Sequence, residues 1–464
     1  MILRTLIGLL ATCLIAAALW WALSAADPIV QTARSLQGER WYRLTMAQRG
    51  VGYYRSRSAR GSRGEHEFHT ELRFALAKDQ PVTVTESYVF AASPPFSLNS
   101  AAHSVQRSSG TATVTIERQA QGLVARRTET DSDAETAQPE QPLEWQYSLA
   151  DYLAFESWIR TKSPGPGASV SVISPNLDTL ALGNDVFELV SSDTKGYRVR
   201  KRSLLDDTII ELDRNLVPVR FELAGVFDLQ RSSQAEALSA RTPLQKSSYR
   251  LPLNEPLRQP QELRQLVLRV DGADAHEFPE VLVLNANPVV PATSDDYLST
   301  SMDHPVNHPR LREVLARLNL KDLSPDAQVQ RLLRHVHRFL TYDDSVTARR
   351  VIELLDKPSG DCTEYADLFT TLARAAGLPA RTIIGMAYSD DPDPALAFHA
   401  WNQVQVNGVW EAVDPTWNQR QVDATHWPLP SSERRAMLLL TGQIDVQLQV
   451  VSTDYAWPSA VPAG

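Results

Sequence analysis

Between residues 37 and 127, apolar and polar positions alternate in short runs, among them WYRLTMAQRGVGYY, HTELRFAL, PVTVTESYVF and TATVTIERQ, broken by Gly, Ser and charged turns. A period of two puts every second side chain on the same face of an extended chain, so these runs predict strands. Residues 128–142 (TETDSDAETAQPEQP) carry acidic and Pro bias without an apolar face, which predicts a surface loop. A short helix is expected within LEWQYSLADYLAFESWIR, and VFELVSS, YRVRKRSL, DTIIELD and VPVRFELAGVFDL then return to strand patterning up to about residue 250. The first expected unit is a β-rich domain over 27–250.

Prolines crowd into LPLNEPLRQP at 251–260, which marks a boundary. QLVLRVDG and VLVLNA add strands beyond it, and helical patterning begins near Pro309. A helix is predicted over 324–340, with Ser324 as N-cap, Pro325 at the first helical position and Asp326 in the first turn. Val329, Leu332, Leu333, Val336 and Phe339 form its apolar face, against polar Arg331, Arg334 and Arg338. The next helix opens in SGDCTEYADLFTTLARAAG, where Asp361 and Glu364 have the spacing of a capping box and Gly377, before Leu378 and Pro379, suits a left-handed end. Cys362 is its first residue. Tyr365, Ala366, Phe369, Leu372, Ala373 and Ala376 continue the apolar face, so the sulfur is expected to point toward the protein body. The second domain is expected over 251–455 with its core at 324–430, leaving 456–464 as a tail.

The first 26 residues break this pattern: Arg4 is followed by an uncharged run over 5–26. That run is long enough to span a bilayer. Ser24 and Ala26 suit a cleaved signal, whereas Trp20 and Trp21 suit a retained anchor at a membrane interface. Either reading exports everything after Asp27, to the periplasm or cell envelope. With 43% hydrophobic and 22% charged residues, the remainder has the composition of soluble globular domains. A net charge of −9 argues against broad nucleic-acid binding. The two cysteines are Cys13, inside the apolar run, and Cys362, so the exported part has a lone thiol and no internal disulfide. Such a thiol is either a small core residue or a reactive group.

A cysteine at a helix start gains twice from the backbone. Free N–H groups and the helix dipole favour thiolate over thiol, and the same N–H groups can hold an oxyanion. Thiol pKa values of about 3.5–7.5 are typical of such settings beside a histidine, although the charge of Asp361 works against the shift. The partner follows from FHAWNQVQVNGVWEAVDPTWN. Asn407-Gly408 is a strong two-residue hairpin signal. With that loop, Val406 pairs with Val409, and His399 lies opposite Thr416 with Asp414 diagonally beside it on the same face. Val404, Val406, Val409 and Val413 then form the core side. In the chemistry these groups support, the thiolate attacks an amide carbonyl, the imidazolium protonates the leaving amine and the carboxylate orients the ring.

SGDCTEYADLFTTLARAAGLPARTIIG, followed by FHAWNQVQVNGVWEAVDPTWNQ, resembles the transglutaminase-like superfamily, a circularly permuted relative of papain-type cysteine peptidases. The resemblance rests on the G-D-C helix opening, the R-A-x-G-L-P-A-R exit, the H-A-W strand and the V-D-P-T strand end, over about 324–430. It implies an α+β fold in which a β-rich N-terminal domain precedes a transglutaminase-like domain. It also implies Cys362 as nucleophile, His399 as acid and base and Asp414 as orienting residue, with Tyr342 a candidate for the aromatic of the oxyanion site.

Other polar groups are expected to be structural. His304 and His308 lie among helix-breaking prolines, His335 and His337 point to different faces of one helix as surface groups, and His426 lies outside the Cys, His, Asp order. The acidic loop 389–395 lacks a regular calcium-ligand spacing. No metal or cofactor is expected. The expected function is acyl transfer from a protein or peptide amide, through a Cys362 thioester, to an amine or water. The alternatives are a cysteine peptidase or peptidoglycan amidase using the same residues, and a non-catalytic envelope binding module.

Overall fold

The computed structural model describes residues 27–46, 49–77, 80–108, 110–131, 135–202, 207–223, 227–239, 250–291, 297–345, 349–429, 439 and 445–455. The apolar segment 1–26 and the tail 456–464 lie outside the described residues. The described residues form two compact units, the first drawn from 27–75, 80–223 and 227–239 and the second from those between 250 and 455.

In the first unit the alternating runs form one 15-stranded antiparallel sheet in which most neighbours are consecutive in the chain. The chain starts in the middle of it. Gly38–Met46 pairs on one side with Arg49–Arg60 and on the other with Phe227–Ser232, so successive strands are added outward from Gly38–Met46 and later ones approach it from the far edge. The expected short helix is two, Leu149–Tyr152 and Ala154–Lys162, and a helix over Pro28–Ser35, capped by Asp27, was not signalled by periodicity.

The loop expected at 128–142 is largely strand. Gly122–Asp131 runs through its start, and Glu135–Ala137 and Gln141–Leu143 both pair back onto that strand. These strands lie at an edge, where the backbone ladder supplies the cohesion and side chains can stay polar, so an apolar face is not required.

The second unit is α+β. Helices Pro309–Leu318, Pro325–Phe339 and Cys362–Ala375 accompany a five-stranded sheet whose centre is Ala380–Ser389 paired with Ala395–Val406. Leu263–Asp271, Val281–Asn285 and Gln447–Tyr455 make a smaller sheet. Val329, Leu332, Leu333 and Val336 pack with Leu368, Phe369 and Leu372 and with Val404 and Val413 in one core cluster. Phe339 stays at the edge of that cluster, only partly buried.

Asn407 and Gly408 take positive φ values of 51° and 84°, as a tight hairpin of this type demands. Val406 pairs with Val409 and the ladder runs on to Asn402 with Val413. Val409 departs from the expected core side: at 62% exposure it lies beside the turn, away from the residues that cover Val404 and Val413. The opposite face is buried as well, by Trp401, Ala412, Ile383 and Val422.

Gly385 pairs directly with His399 and also with Pro428. A Cβ there would stand 2.2 Å from the Trp427 carbonyl oxygen and 2.6 Å from Trp401 Cη2. Gly385→Ala is therefore expected to lower stability by about 1–3 kcal/mol, as overpacking does. Chemical denaturation checks this, and a midpoint equal to that of the parent protein would show that the sheet yields without strain.

Candidate active site

Helix Cys362–Ala375 starts where its capping box predicts. Asp361 Oδ1 accepts from the Thr363 N–H at 2.8 Å, and Glu364 Oε2 accepts from the Asp361 N–H at 2.9 Å. Cys362 is the first residue of the helix and is buried, packed with Ala366 and Ala400 and touched by Ile384 and Phe398. Phe398 and Ala400 are the neighbours of His399 in strand Ala395–Val406. The helix start is therefore set against the part of the strand that carries the imidazole.

His399 and Asp414 meet. Nε2 of His399 lies 2.8 Å from Oδ2 of Asp414, both residues being buried. The route differs from the expected ladder, because strand Val409–Val413 stops before Asp414 and Thr416 does not pair with His399. Pro415 has no N–H to continue the ladder. The chain instead turns, with Asp414 and Gln419 exchanging both backbone hydrogen bonds at 2.9 Å. Asp414 Oδ1 accepts from the N–H groups of Thr416 (2.7 Å) and Trp417 (3.3 Å), so one carboxylate oxygen anchors the turn and the other faces the imidazole.

Three side chains that the residue pattern does not assign to the site complete this arrangement. Trp417, 41% exposed, stacks on the His399 ring at 4.2 Å with 9° between planes. His426 was expected to be a structural residue outside the site; its Nε2 lies 3.3 Å from the same Asp414 oxygen that faces His399, and its Nδ1 lies 3.3 Å from Asp423 Oδ1. Asp423 in turn accepts from the Thr425 N–H, the Thr425 hydroxyl and the Gln419 amide. A local signal existed for part of this: Asp423 and His426 stand three residues apart in VDATHW, the reach of one turn.

Burial pushes the Asp414 carboxyl up, but the charge and hydrogen bond of His399, followed by those of His426, outweigh it and hold the group well below the usual carboxylate range. Burial likewise pushes His426 down, yet its hydrogen bonds to Asp414 and Asp423 and their charges raise it to about 9. Asp423 is held low against burial chiefly by the His426 hydrogen bond and charge.

Tyr342 reaches the helix start through a short parallel bridge, pairing with Gly360 two residues before Cys362. It is 57% exposed, and burial of its hydroxyl followed by the nearby charge at Cys362 pushes that group up to about 12. His304, His308 and His335 serve the scaffold. His304 Nδ1 lies 3.0 Å from the Thr371 hydroxyl, and burial pushes its ring down to about 4. His308 caps helix Pro309–Leu318, and His335, expected at the surface, is half-buried against Phe339. His337 is exposed, with Nδ1 3.1 Å from the Thr416 carbonyl.

Among the described residues, His399, Asp414 and His426 are the group that could gather around a metal ion, with one ligand atom from each lying within 4.8 Å of the others. Hydrogen bonding accounts for the grouping without an ion: one carboxylate oxygen serves both rings, and the second nitrogen of His426 is directed at Asp423. The acidic loop 389–395 forms no such group among the described residues.

Residues 312–415, which include Cys362, His399 and Asp414, match the transglutaminase-like superfamily. Kyphoscoliosis peptidase from Mus musculus is 33% identical over 78 residues, 16% of this chain and 12% of that protein, and the Homo sapiens protein is 33% identical over 76 residues, 15% and 12%. The chain thus spans about an eighth of the length of these relatives. A solved structure described as a putative cysteine protease from Cytophaga hutchinsonii aligns with 45% of this chain and 88% of its own at 15% identity, with a TM-score of 0.27, too low to bear on the argument.

Proposed function

We propose, from the premise that the C-terminal domain is transglutaminase-like, that this chain is a thiol enzyme acting on protein or peptide amides. The observation that carries the proposal is a buried cysteine at a helix start, set against the strand that holds a buried, hydrogen-bonded His399–Asp414 pair.

The Cys362 thiolate attacks the amide carbonyl, forming a C–S bond while helix-start N–H groups receive the oxyanion. The C–N bond breaks and His399 gives its proton to the leaving ammonia or amine. An incoming amine or water then loses a proton to His399 as its new bond to the carbonyl carbon forms and the C–S bond breaks. Asp414 keeps the imidazole aimed throughout and stabilises its charge. Exposed faces of Tyr342 and Trp417 offer apolar surface on which a peptide can lie.

The uncharged run over 5–26 supports export of the domains to the periplasm or envelope, as cleaved or membrane-anchored protein. The local similarity to kyphoscoliosis peptidase supports chain cleavage as a second outcome at the same thiol.

Mass spectrometry of a glutamine-containing peptide, incubated with and without a primary amine, tests the proposal. Incorporation of the amine means transfer, a gain of about one dalton means hydrolysis of the side-chain amide, and a shortened chain means peptidase action. If none of these products forms with glutamine peptides, proteins or peptidoglycan fragments, the domain is a binding module and the enzymatic reading fails.

A further inference from the structure

We infer that His426 is a positioning residue: an imidazolium clamped between Asp414 and Asp423 that holds the Asp414 carboxylate in the orientation His399 needs. The inference rests on the proposed thiol chemistry and extends it to a fourth and a fifth side chain.

The charge state follows from donor counting. Both ring nitrogens of His426 face carboxylate oxygens, Nε2 toward Asp414 and Nδ1 toward Asp423, each at 3.3 Å. An ionised carboxylate only accepts, and a neutral imidazole has one N–H, so only the doubly protonated ring satisfies both contacts. Asp423 is suited to remain an anion because it receives the Thr425 N–H at 2.8 Å, the Thr425 hydroxyl at 2.6 Å and the Gln419 amide at 2.9 Å. His426 is fully buried, with the Trp401 and Trp417 rings edge-on to it at 5.1 and 5.4 Å, so water does not take the place of either carboxylate.

The position of the clamp gives it a role. His426 and His399 share one oxygen of Asp414, while the other oxygen is held by the N–H groups of Thr416 and Trp417. The carboxylate is therefore fixed at both ends and cannot rotate away from His399. The charged or titratable groups facing His426 are Asp414 from the strand end, Asp423 from its own turn, and His399, whose ring centre is 5.6 Å away. At neutral pH two anions and one cation leave a single net negative charge next to His399. An isolated His–Asp pair has the same net charge, but here the cation offsets part of the Asp414 charge and keeps a second buried carboxylate tolerable.

Removal of the cation strengthens the negative field at His399, so the imidazolium partner of the thiolate should persist to higher pH. His426→Gln retains a donor for Asp414 but no charge. Asp423→Asn leaves the His426 ring in place and removes the anion that holds its second proton. Iodoacetamide labelling of Cys362 across pH 4 to 10 reads the consequence. His426→Gln, which leaves two anions and no cation, is expected to move the basic inflection of the rate profile upward by about one pH unit, whereas Asp423→Asn removes an anion together with the proton it holds and should move it far less; both should lower the plateau rate several-fold as Asp414 loosens. A role in packing alone would change the unfolding midpoint of His426→Gln and leave its inflection where it is, and that result overturns the inference.

Nitrogen NMR of the histidine rings supplies a readout independent of catalysis. Two protonated nitrogens on His426 at pH 7 are expected, and a neutral tautomer there overturns the clamp. If the ring signals of His399 and His426 change on treatment with a chelator, a metal ion joins the groups in place of protons, and the clamp again falls. A parent protein whose Cys362 labels only as an ordinary thiol sinks the thiol-enzyme reading itself, and the ring signals then still decide the charge state of His426.

Discussion

Cys362→Ala is expected to remove product formation by at least about a thousandfold while leaving the fold nearly as stable as before. The loss is large because the reaction passes through a covalent bond to Sγ, and no other described side chain of this site is a thiol. The cost to the fold is small because Cys362 packs among Ala366 and Ala400, and loss of one sulfur atom from such a small site amounts to about 1 kcal/mol. Asp361 and Glu364, which set the helix start through the capping box, are untouched. Turnover by mass spectrometry and chemical denaturation, run on the same sample, check both halves. Turnover within tenfold of the parent protein would remove the thiol from the mechanism.

Asp414→Ala should be the most damaging single change to the site, because four donors converge on that carboxylate: the rings of His399 and His426 and the N–H groups of Thr416 and Trp417. Its removal leaves buried imidazolium facing one carboxylate instead of two, a situation that typically costs about 3–5 kcal/mol. Labelling of Cys362 at neutral pH should fall together with turnover, the latter by about a thousandfold or more.

The loss should also depend on pH. Asp414 is depressed in the folded state, so its contribution is present above its unfolded pKa of about 4 and disappears as pH falls toward the folded value. His426 is raised to about 9, so its contribution is complete below its unfolded value and is lost as pH rises through about 9. Denaturation midpoints of parent and variant should therefore differ most between about pH 4 and 6.5 and converge on either side. A gap that is constant from pH 3 to 9 would show that these charges are not coupled to folding.

Particular residues show how far the amino-acid order reaches. Helix Cys362–Ala375 was legible because each cue for it lies within a few positions: Asp361 and Glu364 at the start, the apolar repeat along it and Gly377 at its end. Hairpin register was legible for the same reason, since Asn407-Gly408 sets the turn and the turn sets which residues pair. That register places His399 and Asp414 on one face of the sheet. It missed the break at Pro415, beyond which Asp414 reaches His399 from a turn and not from a ladder. The polar segment at 128–142 departs from the loop its composition predicts because an edge strand can be held by its backbone alone.

Local order thus determined the helix that presents the thiol, the hairpin that carries the imidazole and the face shared by His399 and Asp414, because caps, turns and periodicity act over one or two turns of chain. Tertiary structure decided the rest. The middle position of Gly38–Met46 depends on a partner, Phe227–Ser232, that lies far along the chain. The convergence of His426, Asp423 and Trp417 on the His399–Asp414 pair depends on how residues 415–426 fold back over the sheet. Such contacts arise from packing and from the need to satisfy buried charge, which no short run of residues encodes.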